Sequence, residues 1–183
     1  MILAALLLAA CRADSVTILS EQDLPEDVYG SPLRTPTPSV DLPEEGTVYL
    51  IREGRLVERR LPLQGEIESL PGALLVALFT APVEGKRVHS AIPPGTTLNA
   101  VTVDGPVATV DVTSTFEAQP SERSLALRVA QVVYTLTQQG LGIVSVQFVI
   151  DGQQTSVTGG GGEPLFRPVF RQDYSQFGPL KPS

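Results

Sequence analysis

From residue 46 to residue 157, segments whose hydrophobic residues recur with the period of a strand alternate with segments that have the period of a helix. This alternation constrains the fold more than any other feature. Two segments with the period of a helix lie between pairs of strand-like segments, which gives the order β-β-α-β-β-α-β-β. This order predicts an α+β fold: a single small domain with one mixed β-sheet and both helices packed on one face. The predicted strands, each alternating or rich in β-branched residues, are 47–51, 57–63, 98–103, 107–112, 144–150 and 153–157.

Capping and turn residues set the expected ends of these elements. Ser69 is placed to cap the first helix, and Pro82 ends it. The segment between them is apolar nearly all round, so we expect it to be buried. Ser121 is placed to cap the second helix, which Gly140 is expected to stop. The Asp-Gly-Pro sequence at 104–106 predicts a hairpin, with a connection lengthened slightly by the proline.

The N-terminus has the features of a lipoprotein signal. Residues 1–10 are an unbroken apolar run, too short for a membrane span, which needs about 20 residues. They fit the apolar region of a secretion signal peptide, although no basic residue precedes them. Leu8-Ala9-Ala10-Cys11 resembles the bacterial lipobox, whose cysteine receives diacylglycerol and becomes the new N-terminus after cleavage. We therefore expect lipidation at Cys11 and anchoring on the extracytoplasmic face of the cell membrane. The alternative is a buried helix that ends in a cysteine.

Residues 12–45 are predicted to be a disordered tether. They contain five prolines and carry 8 acidic and 2 basic side chains, so most of the net charge of −7 lies here. A minor alternative is that residues 16–19 add an edge strand to the domain. Residues 46–157 are nearly neutral, with 10 acidic and 8 basic side chains. Because no basic face is available for a phosphate backbone, nucleic acid is not expected as a partner.

Four motifs in the predicted domain resemble the GerMN (germane) domain of sporulation and germination proteins and of actinobacterial lipoproteins. The resemblance covers about residues 46–157, and it departs from the family at Ala81, where members often have glycine. It implies a non-catalytic module of the cell envelope with a role in assembly or cell-wall association. Asp173-Tyr174 near the C-terminus also resembles the actinobacterial members. The motifs are residues 75–82, residues 90–96, residues 107–112 with Phe116, and residues 131–137.

The residues show no constellation typical of an enzyme or a metal site. Cys11 is the only cysteine and His89 the only histidine, so a nucleophile–base pair or a Cys/His metal site lacks partners. We predict no catalytic residue, no cofactor and no metal, and we interpret His89 as a solvated loop residue. Asp104 and Asp151 precede glycines in expected turns. Asp111 lies in a strand, where we expect it to face outward or to accept hydrogen bonds from a loop, rather than to act as a general acid.

The C-terminal residues 158–183 divide into a glycine run and an aromatic segment. Gly159–Gly162 lacks the flanking strand, helix and lysine of a phosphate-binding loop, and is interpreted as a flexible spacer. The following segment combines aromatic residues with Arg167 and Arg171. We expect it to fold back onto the domain, and the alternative is a partner-binding segment.

Together these features predict a non-catalytic, lipid-anchored envelope module that binds or scaffolds a protein or peptidoglycan partner. A link to sporulation, germination or envelope assembly follows from the family resemblance. Two alternatives stay open. One is a cell-wall hydrolase or its accessory subunit. The other is a carrier of a small apolar ligand, which would need a cavity lined by Leu, Val and Phe.

Overall fold

The computed structural model describes residues 42–63, 69–81, 87–118 and 121–179. The predicted signal peptide, the lipidation site Cys11, most of the predicted tether and the alternative strand at 16–19 lie outside these residues.

The first two strands form a hairpin that is a sheet of its own. β1 (Glu45–Arg52) pairs antiparallel with β2 (Arg55–Pro62). Glu53 and Gly54 make the turn with φ of 55° and 74°. The amide of Leu63 donates to the carbonyl of Glu44 over 2.9 Å, so the last residues of the predicted tether belong to the domain.

Helix α1 (Leu70–Phe79) forms where its cap and its apolar composition predict it. The Ser69 hydroxyl accepts from the amide of Gly72 over 3.3 Å, and Pro71 occupies the first turn, where its missing N–H costs nothing. Six of the ten residues are buried, which confirms the expectation of a buried helix.

The second sheet has four strands in the order β3-β4-β5-β6. β3 and β4 are joined by a two-residue turn, Gly105–Pro106, because Asp104 pairs directly with Val107. The expected longer connection is therefore wrong: Gly105, at φ 54°, reverses the chain, and the fixed φ of proline suits the next position. β4 and β5 are parallel, and the other two pairs are antiparallel. The strands are β3 (Leu98–Asp104), β4 (Val107–Val112), β5 (Ser145–Ile150) and β6 (Gln153–Gln154).

Helix α2 (Glu122–Leu136) makes the crossover between the parallel strands β4 and β5. Ser121 caps it, since its hydroxyl accepts from the amide of Ser124 over 3.2 Å. The predicted stop at Gly140 is wrong, because the helix ends at Leu136. The hydroxyl of Thr137 donates to the carbonyl of Val133 over 2.6 Å, a local bond typical of a fraying last turn.

The prediction of one mixed sheet is also wrong in detail, although the α+β class and the order of the first eight elements are confirmed. A third sheet consists of β7 (Val157–Thr158) and β8 (Pro164–Leu165). The single strand predicted at 153–157 is therefore split, because β6 ends at Gln154.

The glycine run Gly159–Gly162 is the turn of this third sheet and not a flexible spacer. The amide of Gly159 donates to the carbonyl of Glu163 over 2.7 Å, and that of Gly160 to Asp173 over 3.0 Å. A methyl group on Gly160 would lie 2.5 Å from the Asp173 carbonyl oxygen. Glycine is needed here because the backbones approach too closely for a side chain.

The segment after this turn covers the domain, and we call residues 164–179 the C-terminal strap. Val169 and Tyr174 are fully buried, and Phe177 nearly so. Val169 pairs with Val146 of β5 through two backbone hydrogen bonds of 2.8 and 2.9 Å. The expectation that the segment folds back is confirmed for these residues, whereas Phe166 remains 79% exposed.

Candidate functional site

The site begins at the edge of β1 that faces away from β2. In an antiparallel pair, alternate residues point their N–H and C=O groups away from the partner strand. In β1 these residues are Thr47, Tyr49 and Ile51. They lie in the domain interior, where an unpaired backbone group would be costly, so the open edge needs hydrogen-bond partners.

Side chains of α2 and the residues after it supply most of these partners in place of a strand. Gln138 donates from Nε2 to the carbonyl of Thr47 over 2.9 Å. The hydroxyl of Thr135 accepts from the amide of Tyr49 over 3.0 Å, and Nε2 of Gln131 donates to the carbonyl of Tyr49 over 2.9 Å. One turn of α2 therefore pairs both backbone groups of Tyr49, and Gln138, just past the end of the helix, reaches Thr47 two residues away along the strand.

The chain around His89 completes the edge. Ile51 and His89 exchange two backbone hydrogen bonds, of 2.7 and 3.0 Å, in an isolated antiparallel bridge. Two residues later, the amide of Ala91 donates to Oε1 of Gln131 over 2.8 Å. Gln131 is fully buried and thus joins β1 to this chain segment through both ends of its amide. His89 is therefore not part of a free loop, because its backbone is fixed to β1, although the residue is partly exposed.

Arg128 extends the same face of α2 by one turn toward the N-terminus of the helix. Only 5% of the residue is exposed. Its Nε donates to the carbonyl of Ala91 over 2.9 Å, and its Nη1 donates to the carbonyls of Phe116 and Ala118 over 2.7 and 2.8 Å. Burial lowers the pKa of the guanidinium, because a low dielectric disfavours charge. Among the described residues no carboxylate lies within ion-pair distance of Arg128.

These elements surround a cavity of about 540 Å³, which we call the Arg128 cavity. One wall comes from the end of β1 and the chain after His89, and the opposite wall from the first half of α2. Its lining residues are Ile51, His89, Ser90, Ala91, Pro93, Pro94, Thr115, Ala118, Ser124, Leu127 and Arg128.

A second, smaller cavity of about 180 Å³ lies beside the glycine turn, lined by that turn, the start of α2 and the end of the strap. There Arg123 lies over the ring of Phe177, 5.5 Å from its centroid. Its glycines serve the close backbone packing described above.

The aspartates singled out in the sequence lie away from the Arg128 cavity, and two of them, Asp111 and Asp151, have structural partners. Oδ1 of Asp111 accepts from Nδ2 of Asn99 over 3.2 Å and from the amide of Gly152 over 3.3 Å. The expectation that Asp111 accepts bonds from a neighbouring loop is confirmed. Asp151 accepts from the amide of Ser114 over 3.2 Å, and Asp104 is exposed at the end of β3.

The important polar residues of this site were not identified from the sequence. Arg128 received no role, and Gln131 and Thr135 appeared only within a family motif. A signal does exist: residues 128, 131 and 135 follow helical spacing between the apolar positions of α2, so they share its buried face. Polar residues recurring at that spacing indicate buried groups with backbone partners.

The strap is held on α2 by Arg171. Its Nε donates to the hydroxyl of Thr137 and its Nη2 to the carbonyl of Tyr134, both over 2.8 Å. The guanidinium also lies over the rings of Tyr49 and Tyr134, 5.4 and 4.7 Å from their centroids. A cation at the C-terminal end of a helix is favourably placed, so Arg171 stabilises both elements.

Two further findings concern only the residues that the structure describes. No group of three or more His, Cys, Asp or Glu side chains is arranged to hold a metal ion. None of the helices in these ranges is long and apolar enough to cross a membrane.

Comparison with known proteins places the domain in a family. The family model named Germane, described as sporulation and spore germination, matches residues 43–156. The tandem GerMN domains of the sporulation protein GerM from Bacillus subtilis are similar, at 26% identity and a TM-score of 0.56. That match covers 70% of this chain and 46% of the other, so the chain spans less than half of the tandem-domain protein's length. The first GerMN domain alone gives the same identity and TM-score and is covered over 98% of its length.

A putative lipoprotein from Clostridium perfringens has a similar fold, with a TM-score of 0.51 at 17% identity. The match covers 73% of this chain and 91% of that one. No curated protein matches this sequence. On the strength of the match over residues 43–156, this chain belongs to the Germane family of sporulation and spore germination domains.

Proposed function

We propose that the protein is a lipid-anchored, non-catalytic module on the extracytoplasmic face of the cell membrane that binds or scaffolds a protein or cell-wall partner. The observation that carries this proposal is the order of three segments in one chain. A lipobox-like sequence ending at Cys11 is followed by an acidic, proline-rich stretch and then by the Germane-family domain. That order suits a folded module held at a distance from a membrane.

The proposed anchor has a simple physical basis. One acyl chain gives only marginal membrane binding, whereas two hold a protein stably, so a diacylglyceryl group on Cys11 would suffice. The 32 residues from 12 to 43 would then act as a spacer of roughly 30 Å as a flexible coil.

The Arg128 cavity supports binding in preference to catalysis. Acyl transfer by a serine needs a base in hydrogen-bond contact with the hydroxyl. Among the described residues, no hydrogen bond joins the His89 ring to Ser90 or Ser124, and Ser90 Oγ instead accepts from the amide of Ile92 over 3.2 Å. The guanidinium of Arg128 is held in place by three backbone carbonyls, which suits recognition of a ligand.

The alternative functions receive less support. An apolar carrier needs a cavity lined by Leu, Val and Phe, whereas the Arg128 cavity has one leucine, no valine or phenylalanine, and a buried guanidinium among its described lining residues. No described feature favours a hydrolase or its accessory subunit. The family description makes sporulation, germination or envelope assembly the process in which we place the module.

The test is the intact mass of the protein recovered from the membrane fraction of its bacterial host. We expect a mass that lacks residues 1–10 and carries acyl chains on Cys11, and we expect Cys11→Ala to lose both changes. Cys11→Ser keeps the size of the side chain while removing the thiol, so it should lose both changes as well if the thiol is what is modified. An unmodified, full-length chain in the soluble fraction would overturn the anchoring proposal.

A further inference from the structure

We propose that the Arg128 cavity binds the terminal carboxylate of a peptide that ends in a small apolar residue. The inference rests on the proposed function as a binding module and specifies its ligand. It does not depend on the lipid anchor.

The first argument is the free edge of the Arg128 guanidinium. Nε and Nη1 are used by three backbone carbonyls, whereas Nη2 makes no hydrogen bond to a described residue. Arg128 lines the cavity, and its third nitrogen is the one that no described residue engages. A cation with one donor edge left free is suited to a carboxylate oxygen.

The second argument is the charge of the walls. No aspartate or glutamate is among the described residues that line the cavity, although the chain as a whole has a net charge of −7. Ser124 in the wall belongs to the first turn of α2, where the helix dipole favours an anion. Ser90 Oγ accepts a bond from Ile92, so its own proton remains available to a ligand oxygen.

The third argument is the shape and composition of the remaining surface. Ala91, Pro93, Pro94 and Leu127 provide an apolar wall of small or rigid side chains. A volume of about 540 Å³ is within the range of small-ligand sites, about 300–1,000 Å³. A carboxylate attached to a small apolar side chain fits this combination, whereas a phosphate dianion calls for more than one cation and gains nothing from the apolar wall.

The fourth argument is preorganisation. Three carbonyls from two chain segments already fix the guanidinium, so little side-chain freedom is lost when a ligand binds. The attraction of a bound carboxylate would also offset the cost of burying the guanidinium charge.

The experiment is an NMR titration of the full 183-residue chain carrying Cys11→Ala, which removes lipidation from the measurement. The probes are N-acetyl-Ala-Ala in its L,L form, as at a protein C-terminus, and in its D,D form, as in a cell-wall peptide. The amides of both peptides and inorganic phosphate serve as comparison probes. We expect at least one of the two acids to shift the amide signals of Ala91, Thr115 and Leu127. The isomer that binds more tightly shows whether the peptide comes from a protein C-terminus or from the cell wall.

The matched variants are Ser124→Asp and Ser124→Asn. Aspartate at this third helical position completes a capping box with Ser121, so the fold should be retained while a negative charge enters the cavity wall. We expect Ser124→Asp to weaken binding of the acid by about tenfold or more, and Ser124→Asn to change it by less than about threefold.

Three results would overturn the inference: no shift with either acid, equal binding of acid and amide, or binding of phosphate alone. Each would leave the mass measurement on Cys11 intact, so failure of the ligand assignment is distinguishable from failure of the anchor.

Discussion

The two helices of the domain stabilise it in different ways. The buried residues of α1 are all glycine, alanine or leucine, and the helix contributes by removing apolar surface from water. Helix α2 buries a similar set of apolar residues, but three polar residues lie among them. Those three, Arg128, Gln131 and Thr135, each bond to the backbone of another segment.

This difference shows that one helix can replace a missing strand. Because β1 pairs with β2 only on one side, its other edge is paired by α2 side chains and by the chain at His89. Apolar burial by α1 is non-directional and tolerates substitutions that conserve volume. Hydrogen bonds from α2 fix register and hold the wall of the Arg128 cavity, so they should tolerate far less.

The largest expected effect comes from the same kind of substitution made on each helix. Gln131→Met keeps the length of the side chain but leaves the carbonyl of Tyr49 and the amide of Ala91 without partners. We expect a loss of about 3 kcal/mol in the free energy of unfolding. On α1, Leu75→Met should cost less than about 1.5 kcal/mol, since volume is nearly conserved. Urea denaturation of both variants measures the difference, and equal losses would refute the distinction between the helices.

A smaller effect is expected for Thr135→Val, which removes one acceptor without changing shape. The buried amide of Tyr49 would lose its partner, at a cost of about 2 kcal/mol. The matched control is Thr80→Val at the exposed end of α1, where water can replace the lost bond. We expect it to change the free energy of unfolding by less than about 0.5 kcal/mol. A cost for Thr135→Val no greater than that of the control would show that the bond to β1 contributes little.

The smallest effect concerns the strap, which packs on α2. Hydrogen bonds from Arg167 and from the amide of Phe170 hold the pKa of Asp173 below its ordinary value of 3.8. A carboxyl with a lowered folded-state pKa stabilises the fold above its unfolded-state pKa and loses that contribution as the pH falls. Asp173→Asn should therefore lower the melting temperature slightly at pH 7, and the difference should shrink as the pH falls below 3.8. A difference that does not shrink with falling pH would mean that charge is not the cause.

Local signals in the sequence were sufficient for the order of the first eight elements, but not for every element's end or for how the strand edges are paired. Ser69 and Ser121 mark helix starts because capping depends only on neighbouring residues. The division into three sheets depends on which distant group reaches each strand edge, and no local pattern encodes the contact between Thr135 and Tyr49. The glycine turn was misinterpreted for the same reason, since its need for glycine comes from Asp173, which follows 13 residues after Gly160.

The candidate site was harder to predict than the fold. Nothing in the local sequence distinguishes Arg128 from an ordinary helix residue. Its cavity forms only because residues 89–94 and 115–118 fold against the first turns of α2. His89 was considered because it is the only histidine in the chain. Its main structural contribution, however, is the backbone bridge to Ile51. The composition of a segment therefore indicates which chemistry is available, but tertiary contacts decide which groups meet.

The most direct test of the central claim, that side chains of α2 serve as the missing strand, is amide hydrogen exchange at Ala91. Among the described residues this amide bonds to Gln131 and to no backbone carbonyl, whereas the amide of His89 bonds to Ile51. Exchange of the Val110 amide in β4 reports the loss of global stability. In Gln131→Met we expect exchange at Ala91 to accelerate much more than exchange at Val110, and exchange at His89 to accelerate as much as at Val110. If Ala91 and Val110 accelerate equally, the side-chain bond does not hold this segment, and the account of α2 is contradicted.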